Sequence, residues 1–425
     1  MGAILLLGTF VILLLLNVPI AACLGISSLV SLFGTGMSFN MVAINYFTAC
    51  NKFVLLAIPF FILAGNIMEK AQISTKLIDF AQALIGHVKG GLAIVCVAVS
   101  CFFAAISGSG PATVAALGMI IIPAMIKCGY KPASASALMA TSGAIGSIIP
   151  PSITFVLYGS ITGISIGKLF MAGIIPGLLV GLFLIIAMML ISRKLELKKL
   201  PKSSAKERLA SFKDTFWGLM MPVIILGGIY GGIFTPTESA AVAAVYGLFV
   251  GVFIYRTVKF KELYRIFVDS SRTTAQVMFI TANASLFAWV ITVQGIAAAV
   301  TDGLIALASG SAFIYLLIVN IILLISGCLL DGTSCFYILT PILYPAAMKL
   351  GIDPIAFGVV MVVNVAIGQV TPPVGLNLYV ACGLGKVSLK EISYAVLPFV
   401  GAAFLACLLV TYFPQISLLL PGLLS

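Results

Sequence analysis

Apolar runs follow one another from Leu5 almost to the end of the chain, and polar positions gather in short interruptions between them. A run of about 20 apolar residues rising 1.5 Å each crosses a hydrocarbon layer of about 30 Å, so the pattern predicts a bundle of membrane-spanning helices. The first run, Leu5 to Leu16, has no basic segment before it and no convincing cleavage site after it, and is expected to be mature structure rather than a signal peptide. Pro19 marks the turn between two short spans, and Ala49 to Met68, Phe216 to Phe234 and Glu238 to Tyr255 are further crossings. Phe33 to Ala49 and Lys259 to Asp269 are too short to cross and read as arms lying along the membrane surface, with ordinary loops as the alternative.

Two kinds of break interrupt the runs, and each occurs twice. The first kind is Ser107-Gly108-Ser109-Gly110-Pro111, matched by Gly327-Cys328-Leu329-Leu330-Asp331-Gly332-Thr333-Ser334. The apolar stretches on either side are only about 16 residues long, short for a full crossing, so each pair predicts a re-entrant hairpin with a polar tip. The second kind is Gly146 to Thr154 around Pro150-Pro151, matched by Gly368 to Asn377 around Pro372-Pro373. Paired prolines remove two backbone donors and disfavour helix in the preceding residue, so a helix must unwind there and expose carbonyls. Unwound backbone at membrane depth is tolerated where it is buried in protein or lines a cavity.

These matches belong to one repeat. At an offset of 222 residues, the interval from Pro123 to Pro345, Lys127 meets Lys349, Gly129 meets Gly351, Pro132 meets Pro354 and Gly146 meets Gly368. The register continues through the two Pro-Pro pairs, Gly163 with Gly385, Lys168 with Lys390, and Pro176 with Pro398. Most of these residues fix backbone geometry, so two homologous halves are predicted.

Composition and charge orient that picture. The 425 residues are 62% hydrophobic and 8% charged, against about 25% charged in soluble proteins. No large soluble domain, and hence no nucleic-acid module, is expected. The formal net charge of +11 is therefore a matter of topology. The stretch from Arg193 to Lys213 carries eight Lys/Arg and is placed in the cytoplasm by the positive-inside rule. From there the count of spans puts both termini outside. Arg256, Lys259, Lys261, Arg265 and Arg272 return to the inside, whereas the matching stretch of the first half, Phe33 to Asn51, has no charge. That asymmetry predicts inverted repeats. The fold expected is an all-α polytopic membrane protein of two inverted repeats, each with a re-entrant hairpin and a discontinuous helix. The first repeat is 1–192, with a scaffold segment at 1–51, a hairpin near 91–127 and a broken helix near 133–158. A basic connection, 193–213, leads to the second, 214–425, with a scaffold segment at 214–272, a hairpin near 312–348 and a broken helix near 354–381.

The chemistry expected follows from what the breaks contain. Nine cysteines show no CxxC spacing and His87 is the sole histidine, so no zinc, haem or iron–sulfur site and no cofactor is expected. Ser107 or Ser109 as a nucleophile would lack a base, which argues against an enzyme. Asp331 at a hairpin tip is an intramembrane carboxylate, functional by default, with local helix capping as the alternative. Glu238 in Thr235-Pro236-Thr237-Glu238 opens a helix after proline and reads as a cap. Carbonyls and hydroxyls with one carboxylate suit sodium as a coupling ion. A proton carried through Asp331 is the alternative, although no chain of acids or histidines crosses the membrane.

The breaks, the Thr235-Pro236-Thr237-Glu238 turn, Ile58-Pro59-Phe60-Phe61 and Ala64-Gly65-Asn66 together resemble the large membrane (M) subunit of tripartite ATP-independent periplasmic (TRAP) transporters, over essentially the whole chain. The resemblance implies an elevator-type transporter of the bacterial inner membrane, in which the hairpins and broken helices move against a scaffold. It implies a small four-helix membrane (Q) subunit, here expected as a separate chain. It also implies a periplasmic substrate-binding (P) protein that delivers an organic anion such as a sialic acid or a C4-dicarboxylate. One sodium site would use Ser107, Gly108 and Ser109 with Gly146, Ile149 and Ser152; the other would use Gly327, Asp331, Gly368 and Thr371. No arginine lies in either motif, so Ser109, Pro150, Thr154, Thr333, Pro372 and Asn377 are the residues expected at the anion. A self-sufficient carboxylate or ion transporter of related architecture is the alternative.

Overall fold

The computed structural model describes residues 2–193, 196–198 and 200–424, and every regular element among them is helical. Lys194 and Lys199 of the basic connection lie outside the described residues. The chain opens with α1 (Gly2–Leu15) and α2 (Ile20–Thr35), which pack together across the Pro19 turn, followed by α3 (Asn40–Cys50), α4 (Ala57–Lys70) and α5 (Ile73–Ile85). A helical hairpin comes next, α6 (Gly91–Ser107) and α7 (Gly110–Lys127). Beyond it α8 (Pro132–Ala144) and α9 (Ile153–Thr162) are two pieces separated by the Pro150-Pro151 break, and α10 (Ile166–Ser192) ends the first half. The second half runs α11 (Ala205–Tyr230), α12 (Pro236–Phe249), α13 (Phe260–Val293) and α14 (Ile296–Leu307). It then repeats the scheme with the hairpin α15 (Ala312–Leu329) and α16 (Gly332–Lys349), the broken pair α17 (Pro354–Gly368) and α18 (Leu376–Gly385), and α19 (Leu389–Tyr412) and α20 (Gln415–Leu424). Among the described residues, eight helical stretches are long and apolar enough to cross a membrane.

Local chemistry sets most of these boundaries. Thr235, Ser204 and Ser388 each close a capping box with an acid three residues on, so Glu238 caps α12, with its Oε2 accepting the Thr235 backbone N–H at 2.8 Å. Asp353 caps α17 by accepting the N–H groups of Ile355 and Ala356, and Pro354 fills the first helical position, where a missing donor costs nothing. Gly163 ends α9 at φ +77°, a left-handed conformation that a β-carbon would strain.

Two elements differ from the sequence expectation. Lys259 to Asp269 is no separate arm: it forms the cap and first turns of α13, a single helix of 34 residues. No glycine or proline interrupts Phe260–Val293, and Glu262 caps its start, so nothing local ends the helix where the charges end. The stretch Phe33 to Ala49 starts later than expected as an element: Phe33 to Thr35 end α2, Gly36 turns at φ +70°, and Asn40 to Ala49 are all but the last residue of the separate short helix α3. In the basic connection, residues 205–213 already belong to α11.

The packing sorts the helices into two sets. The elements α1 to α5 and α11 to α13 pack mainly on one another, α4 on α12, α5 on α11, and α13 against α2, α3 and α4. The hairpins, the broken pairs, α10 and α19 form the other set, in which pieces of one half pack on pieces of the other: α18 lies against α7 and α8, α9 against α16, and α10 against α17 and α19. Large apolar side chains stay exposed on outer faces, as with Phe313, Leu317, Ile321 and Ile325, four residues apart on α15. A helical stripe of that kind is stable against hydrocarbon and costly against water.

Within the second set a fully buried polar cluster ties three helices together. The Asn364 side-chain amide on α17 donates to Oδ1 of Asn320 on α15 at 2.6 Å and to the Asn320 carbonyl at 3.1 Å, while Asn320 Nδ2 donates to Thr411 Oγ1 on α19 at 3.3 Å. Replacing Asn320 by leucine leaves the Asn364 amide short of a partner and should cost about 1–2 kcal/mol. Thermal melts in detergent should show a lower Tm for Asn320→Leu than for the double variant Asn320→Leu/Asn364→Leu, which strands no amide. The reverse order would show that the cluster contributes by packing alone.

Candidate functional site

Both hairpin tips and both breaks meet in the interior. At the first tip the chain turns through Gly108 at φ +61°, and the Gly108 carbonyl accepts the Ile153 N–H at 3.3 Å, which ties the tip to the start of α9. Ser107 Oγ and Thr113 Oγ1 share a hydrogen bond of 2.8 Å, and Thr113 Oγ1 also donates to the Ser109 carbonyl at 2.8 Å. The Gly110 N–H donates to Ser147 Oγ, while Ser152 and Thr154 both donate to the Ser147 carbonyl, at 2.5 and 2.9 Å. Gly146 is obligatory here, since a β-carbon on it would lie 2.6 Å from Thr113 Oγ1 and 2.8 Å from the Ser109 carbonyl.

The second tip is built on the same plan with different side chains. Asp331 caps α16, its Oδ2 accepting the Ser334 N–H at 3.1 Å and its Oδ1 accepting the Ser334 hydroxyl at 2.5 Å. The capping alternative raised by the sequence is therefore what the geometry displays. Capping leaves carboxylate lone pairs free, because each oxygen accepts one bond where it can accept two. The Gly375 N–H donates to the Cys328 carbonyl and ties the second break to the second tip. Gly368 touches Gly327 backbone to backbone, and a β-carbon on Gly368 would lie 2.6 Å from Gly327 Cα.

Between the tips lies a cavity of about 280 Å³, close to the lower end of the size of small-ligand pockets. Of the residues singled out in the sequence, Ser107, Gly108, Ser109, Thr154, Asp331 and Thr333 line it. Gly146, Ile149, Ser152, Gly327, Gly368 and Thr371 stand behind the tips, and Pro150 and Pro372 stand in the two cis Pro-Pro links; none of these lines the cavity. Asn377 is buried away from it, with Nδ2 donating to the Ala140 carbonyl at 3.3 Å, so its side chain joins the two halves rather than facing the space.

Five polar lining residues are not among the expected site residues: Asn66, noted above only as part of Ala64-Gly65-Asn66, and Glu69 from α4, Thr273 from α13, and Ser147 and Gln369 from the breaks. Asn66 Nδ2 donates to Ser270 Oγ at 2.8 Å, which holds α4 to α13 along this wall. The signal for Glu69 was present, an acid near the end of an apolar run, but nothing in the sequence places that run opposite the tips. The lining holds two carboxylates, Glu69 and Asp331, and no lysine or arginine among the described residues.

Paired helix breaks and hairpin tips around a polar cavity inside an apolar bundle define a multi-pass membrane transporter. A family model described as "Tripartite ATP-independent periplasmic transporter, DctM component" matches residues 7–416. The C4-dicarboxylate TRAP transporter large permease protein DctM of Pseudomonas aeruginosa is 45% identical over 388 residues, 91% of each chain. Its namesake from Rhodobacter capsulatus is 41% identical over 440 residues and 100% of both chains. The sialic acid TRAP transporter large permease protein SiaM of Vibrio cholerae is 37% identical over 384 residues, 90% of each. The chain belongs to the DctM family of TRAP transporter large permeases. Among solved structures, the Alcanivorax borkumensis YdaH transporter shares the fold, with a TM-score of 0.63 at 13% identity over 89% of this chain and 88% of that one.

Proposed function

We propose that this permease imports a small organic anion by coupling it to sodium, with a C4-dicarboxylate such as succinate as the first substrate to test. The observation that carries the proposal is the charge of the cavity. Among the described residues two carboxylates and no basic side chain line it, so an anion entering alone meets repulsion in a medium of low dielectric constant. Bound cations reverse that balance, and the tips offer the neutral oxygens that a hard monovalent cation takes. One sodium would sit at Ser107, Gly108 and Ser109 against Gly146, Ile149 and Ser152, the other at Gly327, Asp331, Gly368 and Thr371. The anion would then be held by Ser109, Thr154 and Thr333. The dicarboxylate is favoured over a sialic acid because three relatives named for the former are 41–45% identical and a relative named for the latter is 37% identical.

In this reading the two halves are inverted repeats, both termini face the periplasm, and the set of hairpins and broken helices moves as an elevator against α1 to α5 and α11 to α13. A small Q subunit and a periplasmic P protein complete the system. One relative, named isethionate TRAP transporter permease protein DctMQ, extends beyond the match, with 66% of its length covered. The test is uptake of labelled succinate into proteoliposomes holding the chain with its Q subunit and P protein. An inward sodium gradient should drive accumulation, and replacing sodium by potassium should abolish it. Uptake indifferent to sodium would refute the coupling, and equal uptake by the chain without the P protein would refute the tripartite reading.

A further inference from the structure

We propose that a second anion site, centred on Lys52 and Trp289, lies further along the same groove and takes a small carboxylate before it reaches the cavity between the tips. A separate cavity of about 440 Å³ opens there, lined by Asn45 and Lys52 around the α3–α4 junction, Trp289 and Thr292 of α13, and Thr340 and Tyr344 of α16. The two cavities share walls. Thr333 and Thr340 lie on α16, and Val277 and Ser285 on α13, in the inner and outer cavity respectively. Seven or eight helical residues separate these pairs, so the cavities are offset by roughly 10–12 Å along one interface.

Their charges are opposite. The inner cavity has two acids and no base; the outer one has Lys52 and no acid among its described lining. Lys52 is not spent on an ion pair, for the one pair among the described residues joins Lys349 to Asp302. Its ammonium donates once, to the Ser160 carbonyl at 2.7 Å near the end of α9, which leaves two of three donors for a ligand. Thr340, buried and with a hydroxyl that has no hydrogen-bond partner, belongs to the same wall. A carboxylate held by Lys52 supplies the basic contact that neither hairpin motif contains.

This inference rests on the anion-import reading, and its test separates the two. The chain has two tryptophans, so the Trp217→Phe protein carries Trp289 as its single indole reporter. In lipid nanodiscs and potassium buffer without sodium, succinate should change Trp289 emission saturably, and neutral succinamide should not. Lys52→Gln should raise the half-saturating succinate concentration at least about tenfold through loss of a charge-assisted contact, and Lys52→Arg should stay within about threefold of the parent. Thr340→Val, which leaves the Lys52–Ser160 contact in place, should weaken binding by about threefold. No saturable response in a protein whose Trp289 is quenched by acrylamide overturns the site, as does a response unchanged in Lys52→Gln. Sodium-driven uptake by the same purified protein, reconstituted into proteoliposomes with its Q subunit and P protein, reports on the inner cavity, so a transporting protein without the Trp289 response sinks the outer site alone.

Discussion

Asp331→Asn should raise the sodium concentration for half-maximal succinate uptake by at least about tenfold, with the fold intact. The expected factor corresponds to about 1.4 kcal/mol, below the usual worth of a contact between opposite charges in a buried site. Asparagine is the informative replacement because it is as good a helix N-cap as aspartate. It can still accept the Ser334 N–H that Asp331 accepts at 3.1 Å, so α16 keeps its start while the tip loses its charge. Capping and cation binding therefore separate. A variant with normal sodium dependence and an unchanged Tm would leave Asp331 as a cap only. Glu69→Gln removes the other carboxylate of the cavity from the opposite wall, and its smaller shift should add to that of Asp331→Asn in the double variant.

Gly368→Ala should be more damaging than its single methyl group suggests. The added carbon would lie 2.6 Å from Gly327 Cα, 2.7 Å from its carbonyl carbon and 3.1 Å from Cys328 N. All three are backbone atoms, so no rotamer relieves the contact, and the end of α15 must move. Overpacking of this kind costs about 1–3 kcal/mol, and the displaced segment leads directly into Asp331. Uptake should fall by more than about tenfold, with a lower Tm in detergent. Gly401→Ala is the control: it lies inside α19, a β-carbon there meets nothing within 4 Å, and alanine favours helix, so Tm should hold or rise slightly. Equal behaviour of the two variants would show that the Gly327–Gly368 seam tolerates a methyl group.

The sequence reveals the breaks because they are written in residues with few conformational options. Pro150-Pro151 and Pro372-Pro373 stop α8 and α17, and Ser109-Gly110-Pro111 and Asp331-Gly332 begin α7 and α16, in each case by removing donors or supplying a cap. Which residues face the cavity is less legible, since that depends on contacts between segments far apart in the chain. Glu69 reads as the polar end of an ordinary span until α4 is seen beside the tips. Asn377 reads as a ligand until its amide is seen donating to Ala140 in the other half. The run from Lys259 misleads for another reason: a cluster of charges suggests an arm, while the uninterrupted helical residues after it carry α13 onward for 34 residues.

The interleaving of the halves bears on how the protein is made. The inner cavity draws residues from Ile62 to Leu376, and α7 and α8 find their partner in α18, close to the end of the chain. Helices enter the bilayer in the order of synthesis, so a ribosome has nearly finished before the polar tips meet. A half-built chain thus lacks the second tip and its break, and the site between the tips is complete only once α18 has been made.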